Sequence, residues 1–330
     1  MSTPQTYRWG IMATGRIARQ FANDLKTHVP DARITAVGSR SAETAARFAQ
    51  DFDIPNAHDS YDAVANDPDV DIVYVGTPNN LHYDNVKASL EAGKAVLCEK
   101  PFALNARQAE ELVDLSQRKN VFMMEAMWTR FLPAHKAMFE FVQHGGIGEV
   151  RMVQASFGFR AAYDPTSRLF DPTLGGGGLL DVGVYTLAFA VRYLGMPNSI
   201  TGHADIGATG VDEQAGYILG YPSGAMAVLT CGVRTQMTNE ARLFGTKGRI
   251  VMHERFHEGT DYTVFDSDGG QSTQHIPLQE SGLQYQAIEV QRCLREGLVQ
   301  SPAMSHDDTL AIMRIMDTLR QQWGIRYPGE

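Results

Sequence analysis

The hydrophobic and polar positions of the chain change rhythm once. Over residues 9–124, short apolar runs alternate with stretches whose apolar residues recur every three to four positions. Residues 9–13 form the first run, and Ile17, Phe21 and Leu25 then mark one face of a helix over 16–27. A second strand is expected over 33–38, followed by a helix to Phe52 with Ser41 as its N-cap. Asp71-Ile72-Val73-Tyr74-Val75-Gly76 lies between Pro68 and Pro78 and is apolar on both faces, as suits a strand covered by helices on either side. A helix over 83–92 that stops at Gly93, a strand over 95–98, a helix over 106–119 and a strand over 121–124 complete the series. Alternation at this spacing predicts right-handed βαβ units and a parallel sheet.

Beyond about Met127, strand-like segments follow one another with few helices: 149–160, 214–221, 225–233, 240–244, 249–253 and 262–265. Pro222-Ser223-Gly224 and Thr246-Lys247-Gly248 punctuate them as hairpin turns. One long apolar helix over 179–194 interrupts the strands, and amphipathic helices over 283–296 and 307–323 close the chain. The fold class expected is α/β. Residues 1–127 form a doubly wound domain, and 128–330 form an α/β domain with an open, mainly antiparallel sheet, whose last helix packs back on the first domain.

Length supports the division, because 330 residues exceed one ordinary core and suit two. With 43% hydrophobic and 20% charged residues, disorder and low complexity are excluded. The 38 acids outnumber 29 bases for a net charge of -9 and no basic run stands out, which disfavours nucleic acid and anionic membranes as partners. Cys98, Cys231 and Cys293 are odd in number and far apart, so no disulfide framework is expected and a reducing compartment fits. A short polar start and apolar runs well below about 20 residues point to a cytoplasmic protein without a membrane segment.

Candidate chemistry begins at the first strand–helix junction. Ala13-Thr14-Gly15-Arg16-Ile17-Ala18 reads as G-x-G-x-x-[GA] with alanine in the first place. Gly15 lets the backbone approach a pyrophosphate, Ala18 lets the helix pack close to the sheet, and the helix N-terminus attracts the anion. The same residues also suit an ordinary tight turn. The second strand ends Val37-Gly38-Ser39-Arg40, with no acid at its tip. A carboxylate there would repel a 2′-phosphate, whereas Ser39 and Arg40 can bind one, so NADP(H) is expected in preference to NAD(H).

Two further strands end in Gly76-Thr77-Pro78-Asn79-Asn80-Leu81-His82 and Cys98-Glu99-Lys100-Pro101, at the carboxyl edge where such sheets bind ligands. Thr77, Pro78, Asn79, His82 and Glu99 are thus candidate cofactor contacts, and a lysine at that edge calls for a task. Trp128, Arg130 and Phe131 follow the last strand of the first half, where they cover the nicotinamide, line a substrate pocket or pack between domains. Phe157, Phe159, Tyr163 and Arg168 are candidates for a substrate pocket with aromatic walls.

Two patterns are set aside. His253-Glu254-Arg255-Phe256-His257 matches H-E-x-x-H, but that metal motif needs a helix, and the β-like run before it and Gly259 after it argue against one. No metal is expected. The four glycines at 175–178 lack the Gly-Lys-Ser/Thr of a P-loop and are expected to be a flexible approach to the 179–194 helix.

The Gly15 turn, Thr77-Pro78-Asn79 with His82, Glu99-Lys100-Pro101 and the segment 176–185 together resemble the Gfo/Idh/MocA family of NAD(P)-dependent oxidoreductases. Met124-Glu125-Ala126-Met127-Trp128-Thr129-Arg130-Phe131 and Leu180-Asp181-Val182-Gly183-Val184-Tyr185 look like its dimeric dihydrodiol dehydrogenase branch, which includes NADP-dependent D-xylose dehydrogenases. The resemblance implies a Rossmann domain, a second domain whose sheet serves self-association as a homodimer or higher oligomer, a cis bond at Lys100-Pro101, and Lys100 with Tyr185 as the catalytic pair. Many relatives carry histidine in place of Tyr185, so their acid–base details do not transfer.

The residues agree with that implication. Asp181 and Tyr185 are four apart at the start of one helix and so face the same way. A phenol with a reference pKa of about 10 is a poor base at neutral pH, and a nearby ammonium favours its phenolate. Tyr185 then exchanges a proton with the substrate oxygen, Lys100 tunes it, and Asp181 orients the cluster. The expected activity interconverts a hydroxyl or hemiacetal with a carbonyl or lactone on a sugar, polyol or cyclic diol. The alternative is a nucleotide-sensing regulator on the same fold, against which a proton-transfer pair argues.

Overall fold

Six parallel strands in the order β3-β2-β1-β4-β5-β6 build the first sheet of the computed structural model, which describes residues 6–328 and 330. The series runs β1 (Tyr7–Met12), α1 (Arg16–His28), β2 (Ala32–Gly38), α2 (Ala42–Phe52), β3 (Asn56–His58), α3 (Tyr61–Ala65), β4 (Ile72–Val75), α4 (His82–Glu91), β5 (Ala95–Glu99), α5 (Ala106–Lys119) and β6 (Met123–Ala126). β4 and β5 are buried at every position, which explains their unbroken apolar sequence. Ser41 caps α2 by accepting from the Thr44 amide, and Gly93 ends α4 at φ +76. The strand order reverses between β1 and β4, so the carboxyl ends of these strands form the crevice where doubly wound sheets take ligands. The periodicity reading missed β3 and α3, because a three-residue strand and a five-residue helix are too short to show a period.

The second sheet has eight strands in the order β14-β13-β12-β11-β7-β10-β9-β8. After α6 (Pro133–Gln143) come β7 (Val150–Gly158) and α7 (Val184–Leu194). Seven strands follow: β8 (Ser199–Ile206), β9 (Asp212–Gly220), β10 (Met226–Gly232), β11 (Ala241–Gly245), β12 (Gly248–Met252), β13 (Asp261–Asp266) and β14 (Gln271–His275). All neighbours are antiparallel except β7 and β10, which run parallel at the sheet centre. The Pro222-Ser223-Gly224 and Thr246-Lys247 turns join β9 to β10 and β11 to β12 as hairpins. β8 and β14 are edge strands: β14 is exposed and polar throughout, whereas β8 alternates Ile200, Ala204 and Ile206 with polar residues, a weak pattern interrupted by Gly202. The helix α6 also escaped the pattern.

The expected helix over 179–194 is not one regular helix. Its first turn, Leu179–Gly183, is π-helical, and only Val184–Leu194 is α-helical. The span Pro172–Leu194 is long and apolar enough to cross a membrane by length and composition, with mean hydropathy 1.5, yet 94% of its apolar window is buried inside the protein, as for a core helix.

Two helices close the chain, α8 (Gln284–Arg295) and α9 (His306–Trp323). The chain separates into two units, one of residues 6–103, Arg107–Trp128 and Gln279–His306, the other of Leu104–Ala106, Thr129–Leu278 and 307–330. A single cut after residue 127 therefore misplaces α8, which belongs to the first unit and packs on α1. The helix that returns to the first unit is α8 and not the last one, because an amphipathic helix shows only that it has a buried face, not what that face meets.

Candidate active site

In the first unit, four loops at the carboxyl ends of β1, β2, β4 and β5 carry the expected cofactor contacts. Ala13 is buried, Thr14 and Ile17 are half-buried, and Gly15 and Arg16 are exposed at the start of α1. A Cβ on Gly15 would meet nothing within 4 Å, so no crowding within the chain requires glycine there. The helix also begins with no side-chain cap and no acid in its first turn. Its first amide donors are thus left for an outside anion that can come close to the backbone, which fits a dinucleotide pyrophosphate. Ala18 is wholly buried, as close packing of helix on sheet requires.

At the tip of β2, Ser39 is buried, and its hydroxyl shares a 2.6 Å hydrogen bond with Thr44. Arg40 is exposed and makes no ion pair among the described residues. After β4, the buried Thr77 hydroxyl accepts from Asn85 at 3.1 Å, while Pro78 and Asn79 are half-buried at the turn Asn79–Leu81. His82 is 0% exposed. Its Nδ1 lies 2.8 Å from the Pro101 carbonyl and its Nε2 lies 2.9 Å from that of Thr77. The ring braces the β4 and β5 loops against each other, with no atom left at the surface. Burial, aided by the Lys100 charge, holds its pKa below the ordinary histidine value against the pull of the two carbonyls.

Glu99 is buried at the end of β5, where Tyr74 donates a 2.8 Å hydrogen bond to its carboxylate. Tyr74 in turn stacks on Phe21 of α1 with ring centroids 3.8 Å apart. Burial raises the Glu99 pKa, opposed by the Tyr74 hydroxyl and Lys100. Lys100 follows half-buried, and its bond to Pro101 is cis. Trp128 and Arg130 lie on the turn Trp128–Phe131. Arg130 is buried in the second unit, where it pairs with Asp308 at 3.0 Å.

In the second unit, the π turn and α7 bring Asp181 and Tyr185 to one place, both buried. Arg168 donates to Asp181 Oδ1 at 2.6 Å, and Asp181, with Tyr185 behind it, raises the guanidinium pKa against the opposing cost of burial. The Phe157 ring, at the end of β7, lies 5.4 Å from that of Tyr185. His257 stacks on Phe157 at 4.0 Å, with its ring centroid 6.1 Å from that of Tyr185, so the three rings form one compact group. A polar cluster of Tyr185, Asp181 and Arg168 thus stands beside an aromatic wall of Phe157 and His257. Phe159 is half-buried just past β7, and Tyr163, 45% exposed, packs on Phe170 under Arg234.

His257 was the residue that sequence reasoning missed. The H-E-x-x-H stretch drew attention only as a metal pattern, and it forms turns after β12 with Arg255 at φ +63. His253 bonds to the Thr263 hydroxyl at 2.8 Å while His257 turns to Phe157, so the two rings serve different neighbours. Only the fold-back of this turn onto β7, held by the Phe256 amide on the Asn239 carbonyl and Asn239 Oδ1 on the Gly158 amide, reveals the role.

Residues 7–127 match the oxidoreductase family with an NAD-binding Rossmann fold, and 135–251 match the Gfo/Idh/MocA C-terminal domain. Across 97% of this chain and 99% of the relative, identity to trans-1,2-dihydrobenzene-1,2-diol dehydrogenase of Xenopus tropicalis is 37%. The chain belongs to the Gfo/Idh/MocA oxidoreductase family. The enzyme of the same name from Mus musculus is 35% identical over 98% of each chain. A solved structure, the 3-ketoreductase KijD10 of Actinomadura kijaniata in complex with NADP and TDP-benzene, superposes with a TM-score of 0.85 at 26% identity, covering 96% of this chain and 98% of that one. As a member of this family the protein is an oxidoreductase with an NAD(P)-binding Rossmann domain, and the reading as a non-catalytic sensor is set aside.

Proposed function

We propose that the protein is an NADP(H)-dependent dehydrogenase or reductase of a hydroxyl-bearing sugar, polyol or cyclic diol, with Tyr185 as its acid–base group. The observation that carries this reading is the cluster around Tyr185: a buried phenol beside a 2.6 Å Arg168–Asp181 pair and an aromatic wall of Phe157 and His257. The polar edge of this cluster suits vicinal hydroxyls, and the wall suits the flat face of a ring. The name shared by the curated relatives, a trans-dihydrodiol dehydrogenase, joins both features in one substrate.

The cofactor, held by the Ala13 to Ile17 turn with Ser39, Arg40 and the Thr77-Pro78-Asn79 loop, supplies or accepts the hydride. Tyr185 gives a proton to, or takes one from, the substrate oxygen. Lys100, from the first unit, supplies the cation that favours the phenolate and polarises the same oxygen. Asp181 and Arg168 fix the phenol's orientation. Arg40, exposed without an ion-pair partner among the described residues, is the reader of a 2′-phosphate, which makes NADP(H) the preferred cofactor. The three cysteines are free and buried, which suits a reducing, cytoplasmic setting. The outer face of the eight-stranded sheet, with Ile218 48% and Met226 38% exposed, is the surface for self-association.

The test is NADPH absorbance during turnover with a panel of trans-dihydrodiols, aldoses, polyols and ketoses. Tyr185→Phe should lower kcat at least about 100-fold with NADPH affinity unchanged. Near-normal turnover by that variant would overturn the assignment.

A further inference from the structure

Asp212 opens β9 and is wholly buried, and none of the chemistry above uses it. Its carboxylate lies at the start of the helical segment that carries Asp181 and Tyr185. Oδ2 accepts from the Leu179 amide at 2.6 Å, and the Gly178 amide bonds to the same group. The backbone is wrapped round it. A Cβ on Gly177, whose φ is +116, would collide with Asp212 Oδ1, and one on Gly178 would stand 3.2 Å from Oδ2. The glycines at 175–178 are therefore a tight wrap and not a flexible approach, contrary to the sequence expectation. Further bonds lock the wrap: Tyr327 donates to the Gly176 carbonyl at 2.6 Å, and the Gly177 amide donates to the Leu169 carbonyl at 2.9 Å, next to Arg168.

We infer that Asp212 is a positioning residue: by gripping the Gly178 and Leu179 amides, its carboxylate fixes where Asp181 and Tyr185 stand for proton transfer. The inference rests on the reading of Tyr185 as the proton-exchanging group. Only the π turn Leu179–Gly183 lies between the grip and α7, so a shift at Leu179 passes directly to both side chains.

Ionisation controls the strength of the grip, because an anionic carboxylate accepts from amides better than a carboxylic acid does. The titratable groups that face Asp212 are Arg320 of α9, Tyr327 of the final segment, Cys231 of β10 and Tyr217 of β9 itself. Arg320 is the cation among them, and it is already committed to Asp317 at 2.6 Å and Glu330 at 2.7 Å. Burial pushes the Asp212 pKa up to about 7 against the pull of the amides and Arg320. The grip accordingly weakens as pH falls below neutrality.

The experiment compares full-length wild type, Asp212→Asn and Tyr185→Phe from pH 5.5 to 9, with NADP+ and a trans-dihydrodiol, alongside amide hydrogen exchange at Leu179. Asparagine keeps an acceptor for the amide but does not titrate. Wild-type kcat should fall below about pH 7, while Asp212→Asn should lose that acid limb, with kcat at pH 8 reduced about 3- to 10-fold and KM for NADP+ within about twofold. Protection of the Leu179 amide should rise at least about tenfold between pH 6 and 8 in wild type and stay level in the variant. An unchanged acid limb in Asp212→Asn beside an inactive Tyr185→Phe overturns the positioning role alone. Full activity of Tyr185→Phe overturns the acid–base reading instead, and the exchange step then decides whether the grip exists. Should the asparagine variant not fold, the wild-type exchange profile decides, and the absence of a step near neutrality overturns the inference.

Discussion

Arg168 joins the cluster of Asp181 and Tyr185 to the solvent side of the second unit. Its guanidinium holds Asp181 at 2.6 Å and lies close enough to Tyr185 for the two charges to feel each other. Replacing it by methionine keeps much of the stem's packing and removes the cation. We expect Arg168→Met to lower kcat about 10- to 100-fold, to move the pH–kcat profile towards alkaline pH, and to leave NADPH affinity unchanged. Steady-state kinetics between pH 6 and 10 check this, and a profile that stays in place would mean that Arg168 acts only in binding. Arg40 has the opposite profile, because Arg40→Ala should weaken NADPH at least about tenfold while NADH stays within twofold. Fluorescence titration with both cofactors measures that ratio, and equal losses for the two would remove the 2′-phosphate assignment.

Among the elements, the two glycine turns that precede the site helices differ in what they face. Gly15 has open space at its Cβ position, whereas Gly177 is wrapped on Asp212 at positive φ. Gly15→Ala should therefore cost less than about 1 kcal/mol of stability, the worth of a helix cap, yet weaken NADPH binding about tenfold or more. Gly177→Ala should cost at least about 2 kcal/mol in urea unfolding, from backbone strain and a collision. Equal stability losses in the two variants would show that the first turn is shaped by internal packing. Helix α6 adds a pH effect. Its His135 donates from Nε2 to the Phe256 carbonyl of the site turn at 2.6 Å, and burial lowers its pKa from 6.5 to about 4. The unfolded chain thus takes up a proton that the folded chain refuses, so this stabilisation is present above pH 6.5 and is lost as pH falls towards 4. At pH 5 the loss is about 2 kcal/mol by linkage, and His135→Gln should remove it from the pH 7 to pH 5 difference in unfolding free energy. An unaltered difference would rule it out. For global unfolding, which returns its carboxylate to water, Asp212 acts in the reverse sense: its folded pKa of about 7 exceeds 3.8, so this contribution is lost as pH rises through that window, although ionisation tightens the grip while the carboxylate stays buried.

At the scale of the whole molecule, the eight-stranded sheet leaves one broad face uncovered by its own unit, with apolar Ile218 and Met226 on it. Light scattering should return a mass of at least twice the 36.4 kDa chain, and Ile218→Lys should lower it towards the monomer. A monomeric wild type would sink the self-association reading. The apolar period makes the parallel sheet legible at every strand but β3, because strands buried on both faces and helices with one buried face carry their environment in their residue types. The polar edge strand β14 has no such imprint, and Gly202 interrupts the weak alternation of β8. The loops proposed for the cofactor could be placed for the same reason that the sheet was legible: they follow the strand ends in sequence, so locating the strands located the loops.

What the order of residues determined by itself was thus the two sheets apart from β3, β8 and β14, the turn at Gly15 and the helix α7 that bears Tyr185, all features set by neighbours within about a dozen positions. Tertiary structure alone decided that α8 returns to the first unit, that His82 is an internal brace, that His257 stacks on Phe157, and that Asp212 lies under the start of the Tyr185 helix. These contacts join residues from 19 to 100 or more positions apart or depend on which face of an element turns inward, and a single histidine or aspartate has the same local signature whether it lies at the surface or under a helix.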